Sequence, residues 1–275
     1  MLQKKTKFIM AKQKGIIRIK GSMGGLTFYE KDGKALVKMT GGVDKQKIMT
    51  DPAFKRTREN MSEFGGAAKV GKSLRMGFAS IINNMRGGYL ASRLTGIMKR
   101  INTVGSGVRG QRNFEILPNK TLLENFEFNT NSPLDAVFYP PFDAPTLDAN
   151  RSVITLNIPD FNIDSFIKHP EGTSHFKIVL ACTVLSNFEY DTELKSYEPV
   201  HPVENETNGI TISNAYPIGG MVGSSIDLSV DLGFSALLPA TVAVVSAVGI
   251  IFYQEINSQL YELASYNAMR VISVD

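Results

Sequence analysis

A chain of 275 residues and 30.2 kDa holds one large domain or two ordinary ones, and 43% apolar with 20% charged residues is enough to bury a core, which excludes a disordered polymer. A single cysteine, Cys182, excludes an internal disulfide framework and a cysteine-rich zinc site, and three histidines leave little for a multi-histidine centre. The net charge of +4 hides a split: residues 1–120 carry 25 Lys/Arg against 7 Asp/Glu, a net of +18, and residues 121–275 carry 5 against 19, a net of −14.

The opening MLQKKTKFIMAKQKG is basic and lacks an apolar stretch of secretory length and a small-residue cleavage site, so no signal peptide is expected. Met10 offers an alternative start. Residues 15–40 read as a β-meander. Ile16-Ile17-Arg18-Ile19-Lys20 is a first strand, Gly21-Ser22-Met23-Gly24-Gly25 a turn, and Leu26 to Glu30 a second strand. Asp32-Gly33 is a two-residue hairpin signal, Ala35 to Met39 a third strand, and Gly41-Gly42 its end. A sheet this small needs a partner to be stable.

Asp51-Pro52 places an N-cap and a first-turn proline at the head of a helical region spanning 52–102. Phe54, Met61 and Phe64 recur at helical spacing. After Gly65-Gly66 the stripe continues through Val70, Leu74, Phe78, Ile81, Ile82 and Met85, and after Gly87-Gly88 through Leu90, Leu94, Ile97, Met98 and Ile101. Three helices follow, with polar faces dominated by Lys55, Arg56, Arg58, Lys69, Lys72, Arg75, Arg86, Arg93, Lys99 and Arg100. Residues 103–113, TVGSGVRGQRN, read as a basic glycine-rich hinge, and the domain boundary is expected between it and Lys120.

Beyond that point helical periodicity stops. Phe126 and Phe128 share a face. Ile154, Leu156 and Ile158 alternate with Val153, Thr155 and Asn157, and Ile226, Leu228, Val230 and Leu232 alternate with Asp227, Ser229 and Asp231. His175 to Thr183, Val242 to Tyr253, Leu260 to Ala264 and Ala268 to Val274 complete about seven strands. Pro140-Pro141 and Pro199 to Pro202 are among the separators. Phe234 to Tyr253 is almost uncharged and about long enough to span a membrane. Its β-branched Val242, Val244, Val245, Val248, Ile250 and Ile251, with Pro239 and Gly249, favour a buried strand turning at Asn257-Ser258. The expected class is therefore α+β: a basic region 1–120, made of the meander, the helices and the hinge, then an acidic all-β domain 121–275. That domain reads as an antiparallel sandwich with its own core, for which an immunoglobulin-like arrangement is the model architecture.

Few motifs carry chemistry. Gly66-Ala-Ala-Lys-Val-Gly71-Lys72-Ser73 fits the G-x-x-x-x-G-K-[ST] phosphate loop, which needs a strand before it and a helix after it, so that backbone amides converge on the phosphates. Here a helical stretch precedes it, which favours small residues for close packing. Cys182 and His175 share a strand seven residues apart, so they point to opposite faces and form no nucleophile–base pair; Cys182 falls with Phe176, Ile178 and Leu180. His169, His175 and His201 lack metal spacing, and no cofactor or metal is expected, even with Asp160, Asp164 and Glu171 near His169.

The basic half is the informative part. Arg18, Lys20, Lys55, Arg56, Arg58, Lys69, Lys72, Arg75, Arg93, Arg109 and Arg112 are the expected partner-binding or nucleic-acid-binding residues, with Arg109 and Arg112 among the hinge glycines. No helix-turn-helix, zinc finger or aromatic RNP pattern accompanies them. The chain's own acidic half is an equally good anionic partner.

Lys12-Gln13-Lys14-Gly15-Ile16-Ile17, Gly24-Gly25-Leu26-Thr27-Phe28-Tyr29, Gly41-Gly42-Val43, the run from Asp51-Pro52-Ala53-Phe54 through Lys55-Arg56-Thr57-Arg58-Glu59-Asn60, Glu63-Phe64-Gly65 and Lys72 to Arg75 together resemble an uncharacterised conserved bacterial protein family. Their order is also similar to proteins of phages and mobile elements. The resemblance implies no established activity. In that family the place of Ser73 is apolar, and the residues before Met10 depart from its usual start. The expectation is a non-enzymatic structural or assembly protein, a homo-oligomer with no membrane span, in the cytoplasm or within an assembled particle such as a virion. A sequence-non-specific nucleic-acid-binding protein is the alternative, and a nucleotide-binding protein built on Lys72 and Ser73 a third.

Overall fold

The computed structural model describes residues 11–14, 17–39, 43–85 and 87–275. The sequence readings at Met10, Gly15-Ile16, Gly41-Gly42 and Arg86 lie outside the described residues. The chain forms two compact units, Met1–Arg58 and Glu59–Asp275. This division falls well before the boundary expected between the 103–113 stretch and Lys120.

The first unit is a four-stranded antiparallel sheet of β1 (Ala11–Lys12), β2 (Gly21–Met23), β3 (Leu26–Lys31) and β4 (Lys34–Met39), in the order β1-β4-β3-β2. Both of its tight turns have two consecutive left-handed residues, Gly24-Gly25 and Asp32-Gly33, the geometry that matches strand twist in a two-residue hairpin. Of the strand expected at Ile16–Lys20, the described residues 17–20 form none. Instead Gln13 accepts a hydrogen bond from the Ile19 amide at 3.0 Å and donates to the Ile19 carbonyl at 3.2 Å, satisfying that backbone locally. The glycine-rich stretch expected as a turn supplies strand β2, and only Gly24-Gly25 turns. A short helix, α1 (Lys45–Thr50), follows, and Asp51 caps the next turn by accepting from the Ala53 amide, with Pro52 in the first position as expected.

The second unit is organised around one strand pair. Helices α2 (Lys55–Gly77), α3 (Ala79–Met85) and α4 (Leu90–Val104) come first in the chain. Then follow β5 (Thr146–Leu147), β6 (Val153–Ile158), β7 (His175–Ser186), β8 (Phe188–Asp191), β9 (Ser196–Pro199), β10 (Asn208–Ile212), β11 (Tyr216–Pro217), β12 (Ile226–Asp231), β13 (Val242–Ile256), β14 (Gln259–Glu262) and β15 (Ala268–Val274). The long strands β7 and β13 pair antiparallel from His175↔Tyr253 to Ser186↔Val242. β10 and β11 extend the sheet on the β7 side, and β14 and β15 on the β13 side. Of the segment weighed as a membrane span, Phe234 to Tyr253, the part from Val242 onward lies in β13, whose hairpin turns at Asn257-Ser258 as read. No helix among the described residues is long and apolar enough to cross a membrane.

This sheet is covered on both faces. Phe176, Ile178, Leu180, Cys182, Val184, Val244, Val248 and Ile250 face a three-stranded sheet, β12-β6-β5, through Ile154, Leu156, Ile158, Ile226, Leu228 and Val230. That is the expected sandwich. Val179, Ala181, Leu185, Ala243, Val245, Ala247, Ile251, Met269 and Val271 face the helices through Ala67, Val70, Leu74, Phe78, Ile81, Met85, Leu94, Met98 and Ile101. The helical layer is an addition to the two-sheet arrangement expected, and it assigns the helices of the basic region to the core.

Helix α2 runs without a break through Gly65-Gly66, where the sequence suggested one. Its glycines serve packing. A Cβ on Gly66 would enter the ring of Tyr197, one on Gly77 would overlap Thr183, and one on Gly71 would lie 3.4 Å from the Thr95 amide of α4. The break comes about three turns later, between α2 and α3.

Truncation tests this architecture. A fragment of 59–275 is expected to melt cooperatively. A fragment of 121–275 bares nine apolar side chains of the sheet, each worth about 1.5–3 kcal/mol for the larger ones, against a total stability of about 5–15 kcal/mol. It is expected to lack a cooperative melt by circular dichroism and to bind a hydrophobic dye.

Candidate functional site

The expected phosphate loop lies wholly inside α2, from Gly66 to Ser73. Its amides are committed to intrahelical hydrogen bonds and present no cradle. Ser73 is buried and accepts a hydrogen bond from Asn205 Nδ2 at 2.8 Å. Lys72 is exposed on the rim of a shallow concavity of about 420 Å³ shared with Met76, Phe188 and Pro202. Cys182 lies in the core, as its parity with Phe176 predicts; burial pushes its thiol up to about 12, and its nearest polar neighbour is Ser246 Oγ at 3.7 Å. His175 contacts Ser174 and Glu255 instead. Among the described residues no group of three or more His, Cys, Asp or Glu is placed to hold a metal ion.

The eleven basic residues expected to form one face divide between the two units. Arg18 is exposed, and Lys20 pairs with Glu30 at 2.7 Å. Lys55 and Arg56 are exposed. Arg58 is spent on structure: its guanidinium donates to the Ile48 and Asp51 carbonyls at 2.6 and 2.9 Å. In the second unit Lys69 pairs with Glu198 at 2.6 Å and Arg109 with Glu59 at 3.5 Å. Arg93 lies over the Phe126 ring and donates to the carbonyls of Glu127 and Phe128 at 2.6 and 2.8 Å. Arg75, beside a concavity of about 510 Å³, has a buried Nε without a partner among the described residues.

Arg112 belongs to a buried cluster around Glu63. It grips the carboxylate through Nε at 2.8 Å and Nη2 at 2.7 Å, while Lys99 Nζ and the Gly110 amide add two further donors. Ser62 Oγ donates to the Gly110 carbonyl at 2.7 Å, and Arg112 Nη1 to that of Thr103 at 2.6 Å. The expected hinge at 103–113 is therefore stapled to α2 and α4. Burial pushes the Glu63 carboxyl upward, but the bonds from Arg112, Lys99 and Gly110 outweigh it and hold the group at about 2.

A second network has the opposite balance. Glu127 accepts from the Leu134 amide at 3.1 Å and lies 3.9 Å from Arg270, which also pairs with Asp135. Here burial dominates and raises the carboxyl to about 7.

The charged surface that sequence inspection missed is the N-terminal sheet itself. Cross-strand register places Ala11, Met23, Leu26, Phe28, Ala35, Val37 and Met39 on one face, with Glu30 at its turn end. The other face carries Lys12, Lys31, Lys34 and Lys38 around Tyr29 and Leu36. Lys38 Nζ lies 5.6 Å from the centre of the Tyr29 ring. The alternation Lys34-Leu36-Lys38 in β4 was the available signal. No described residue of Met1–Arg58 is buried, and Met23 and Met39 are 64% and 66% exposed. No protein-family model, curated protein or solved structure matches the chain.

Two measurements check this assignment. Gly66→Ala is expected to cost about 1–3 kcal/mol through overpacking against Tyr197, and Lys72→Ala no more than about 0.5 kcal/mol, both read from denaturant melts. The pH dependence has two arms. Glu63, depressed in the folded state, stabilises fully above its ordinary value of 4.5, and this is lost as pH falls from there toward 2. Glu127, raised in the folded state, destabilises progressively as pH climbs from 4.5 through about 7. Glu63→Gln should lose about 3–5 kcal/mol at pH 7 by stranding Arg112 and Lys99, whereas Glu127→Gln should be more stable than the parent at pH 8 and equal to it near pH 4.

Proposed function

We propose that the chain is a non-enzymatic structural or assembly protein, a homo-oligomer whose basic N-terminal region docks on acidic surfaces of neighbouring copies or other partners. One observation carries the reading: the N-terminal sheet has an apolar face, a lysine face and no buried residue. Four short strands whose described residues are all at least partly exposed lack the burial that stabilises a sheet. A neighbouring molecule supplies that burial. Charge supports the same reading. Met1–Arg58 has 15 basic and 4 acidic residues, a net of +11, and Glu59–Asp275 has 15 and 22, a net of −7. Attraction between such surfaces speeds encounter, and apolar contact gives the complex its lifetime. The resemblance of residues 12–75 to a bacterial family similar to phage proteins fits a component of an assembled particle.

A second reading rests on Tyr29 among Lys12, Lys31, Lys34 and Lys38. Lysines flanking an aromatic ring on a sheet suit a sequence-non-specific nucleic-acid platform.

Sedimentation equilibrium separates the two. The assembly reading expects a mass that rises with protein concentration, in nucleic-acid-free protein, and falls as sodium chloride increases from about 0.05 to 0.5 M, where screening tightens. A chain that stays monomeric alone but carries salt-removable nucleic acid supports the second reading. A chain that does neither defeats both.

A further inference from the structure

Resting on the assembly reading, we propose that the lysine face of the N-terminal sheet docks on the outer face of the three-stranded sheet β12-β6-β5 of a second copy. Along β6 and β12 the side chains alternate. Ile154, Leu156, Ile158, Ile226, Leu228 and Val230 are buried, and Thr155, Asn157, Asp227, Ser229 and Asp231 point outward. The outer face forms an open concavity of about 370 Å³ whose polar lining residues are Asp143, Thr146, Thr155, Asn157, Asp227 and Ser229, beside Ala144, Leu156 and Leu228. Its charges are all carboxylates, and no Lys or Arg lines it.

These carboxylates are held in place while their charge is left uncompensated. Asp227 accepts from Ser225 Oγ at 2.7 Å and Asn157 Nδ2 at 2.5 Å. Asp231 accepts from Ser152 Oγ at 3.2 Å and the Gly233 amide at 2.8 Å. None of Asp143, Asp227 and Asp231 forms an ion pair among the described residues. The lysine face has the matching need. Lys31 and Lys34 stand directly opposite each other across the Asp32-Gly33 turn, a like-charge pairing that destabilises a hairpin until an anion joins it.

Spacing decides the occupant. Lys34 and Lys38 lie four residues apart on one face of β4, and Asp227 and Asp231 four residues apart on one face of β12. At about 3.4 Å per residue each pair spans about 13–14 Å, so both ion pairs form in one registration. A second copy carries this match; an arbitrary acidic protein does not. Because donor and acceptor faces differ, the contact is heterologous, and each copy can give one and receive one.

The test uses the full-length chain. Isotope-labelled and unlabelled protein are mixed, cross-linked with a zero-length carbodiimide, and analysed by mass spectrometry. Lysines 31, 34 and 38 are expected to join Asp143, Asp227 or Asp231 between labelled and unlabelled copies. Asp227→Lys with Asp231→Lys should weaken self-association by about tenfold or more while the melt stays cooperative and falls only slightly, since both side chains are exposed but lose their bonds to Ser225, Asn157, Ser152 and the Gly233 amide. Mixing that variant with a Lys34→Asp, Lys38→Asp variant should restore association. Cross-links between the same residues within single copies would overturn the proposal. So would unchanged association of both variants with cross-links elsewhere, which leaves the assembly reading standing. Absence of association at every concentration and salt would remove that reading and this one together.

Discussion

Everything in the larger unit depends on the pairing of His175–Ser186 with Val242–Tyr253. Neither strand has a wet face, so both read as near-continuous apolar runs. Their few polar side chains are satisfied within the sheet. Thr183 donates to the Thr207 carbonyl, Ser186 to that of Asn187, and Ser246 lies beside Cys182. A pair buried on both sides requires two covers. The three-stranded sheet is one and the helices are the other, so α2 to α4 are as much a part of the core as the strands they cover.

That requirement explains where the positive charge goes. The helices present their apolar stripes to the sheet and keep Lys and Arg on their remaining surface. Several of these cations turn back to fasten the layer, Lys99 on Glu63, Arg93 on the 127–128 carbonyls and Lys69 on Glu198, and Arg112 from the loop after α4 joins Lys99 on Glu63. A basic sequence need not give a basic binding face, because carbonyls and buried carboxylates compete for the same guanidinium groups. In the N-terminal sheet, Lys12, Lys31 and Lys34 form no ion pair among the described residues.

The sequence was legible where local physics decides. Asp32-Gly33, Asn257-Ser258 and Asp51-Pro52 behave as their turn and cap chemistry requires, and the alternation at 153–158 and 226–231 gave the outer sheet and its wet face. It misled where a long-range contact decides. Gly65-Gly66 looks like a break, but the local cost of glycine in a helix is outweighed by the close approach of Tyr197 that only glycine permits. Gly105, Gly107 and Gly110 look like a hinge, but Glu63, forty-seven residues from Gly110, holds its amide. Ile17 and Ile19 look like a strand until Gln13 satisfies the Ile19 amide. For the charged surface, composition marks the basic half but not its faces, because cross-strand register sorts β3 and β4 into two sides.

The order of layers along the chain has a consequence for biogenesis. The helical cover, complete by Val104, leaves the ribosome before any strand of the sheet it packs against. Phe78, Leu94 and Met98 then have no surface to meet until β7 and β13 have paired, and β15, which presents Met269 and Val271 to that layer, emerges more than 160 residues after α4. Pairing Ser186 with Val242 also closes a long loop before its contacts repay the entropy. Newly made chains therefore pass through a stage with an amphipathic helical segment exposed, the kind of surface that chaperones shield and that aggregation exploits.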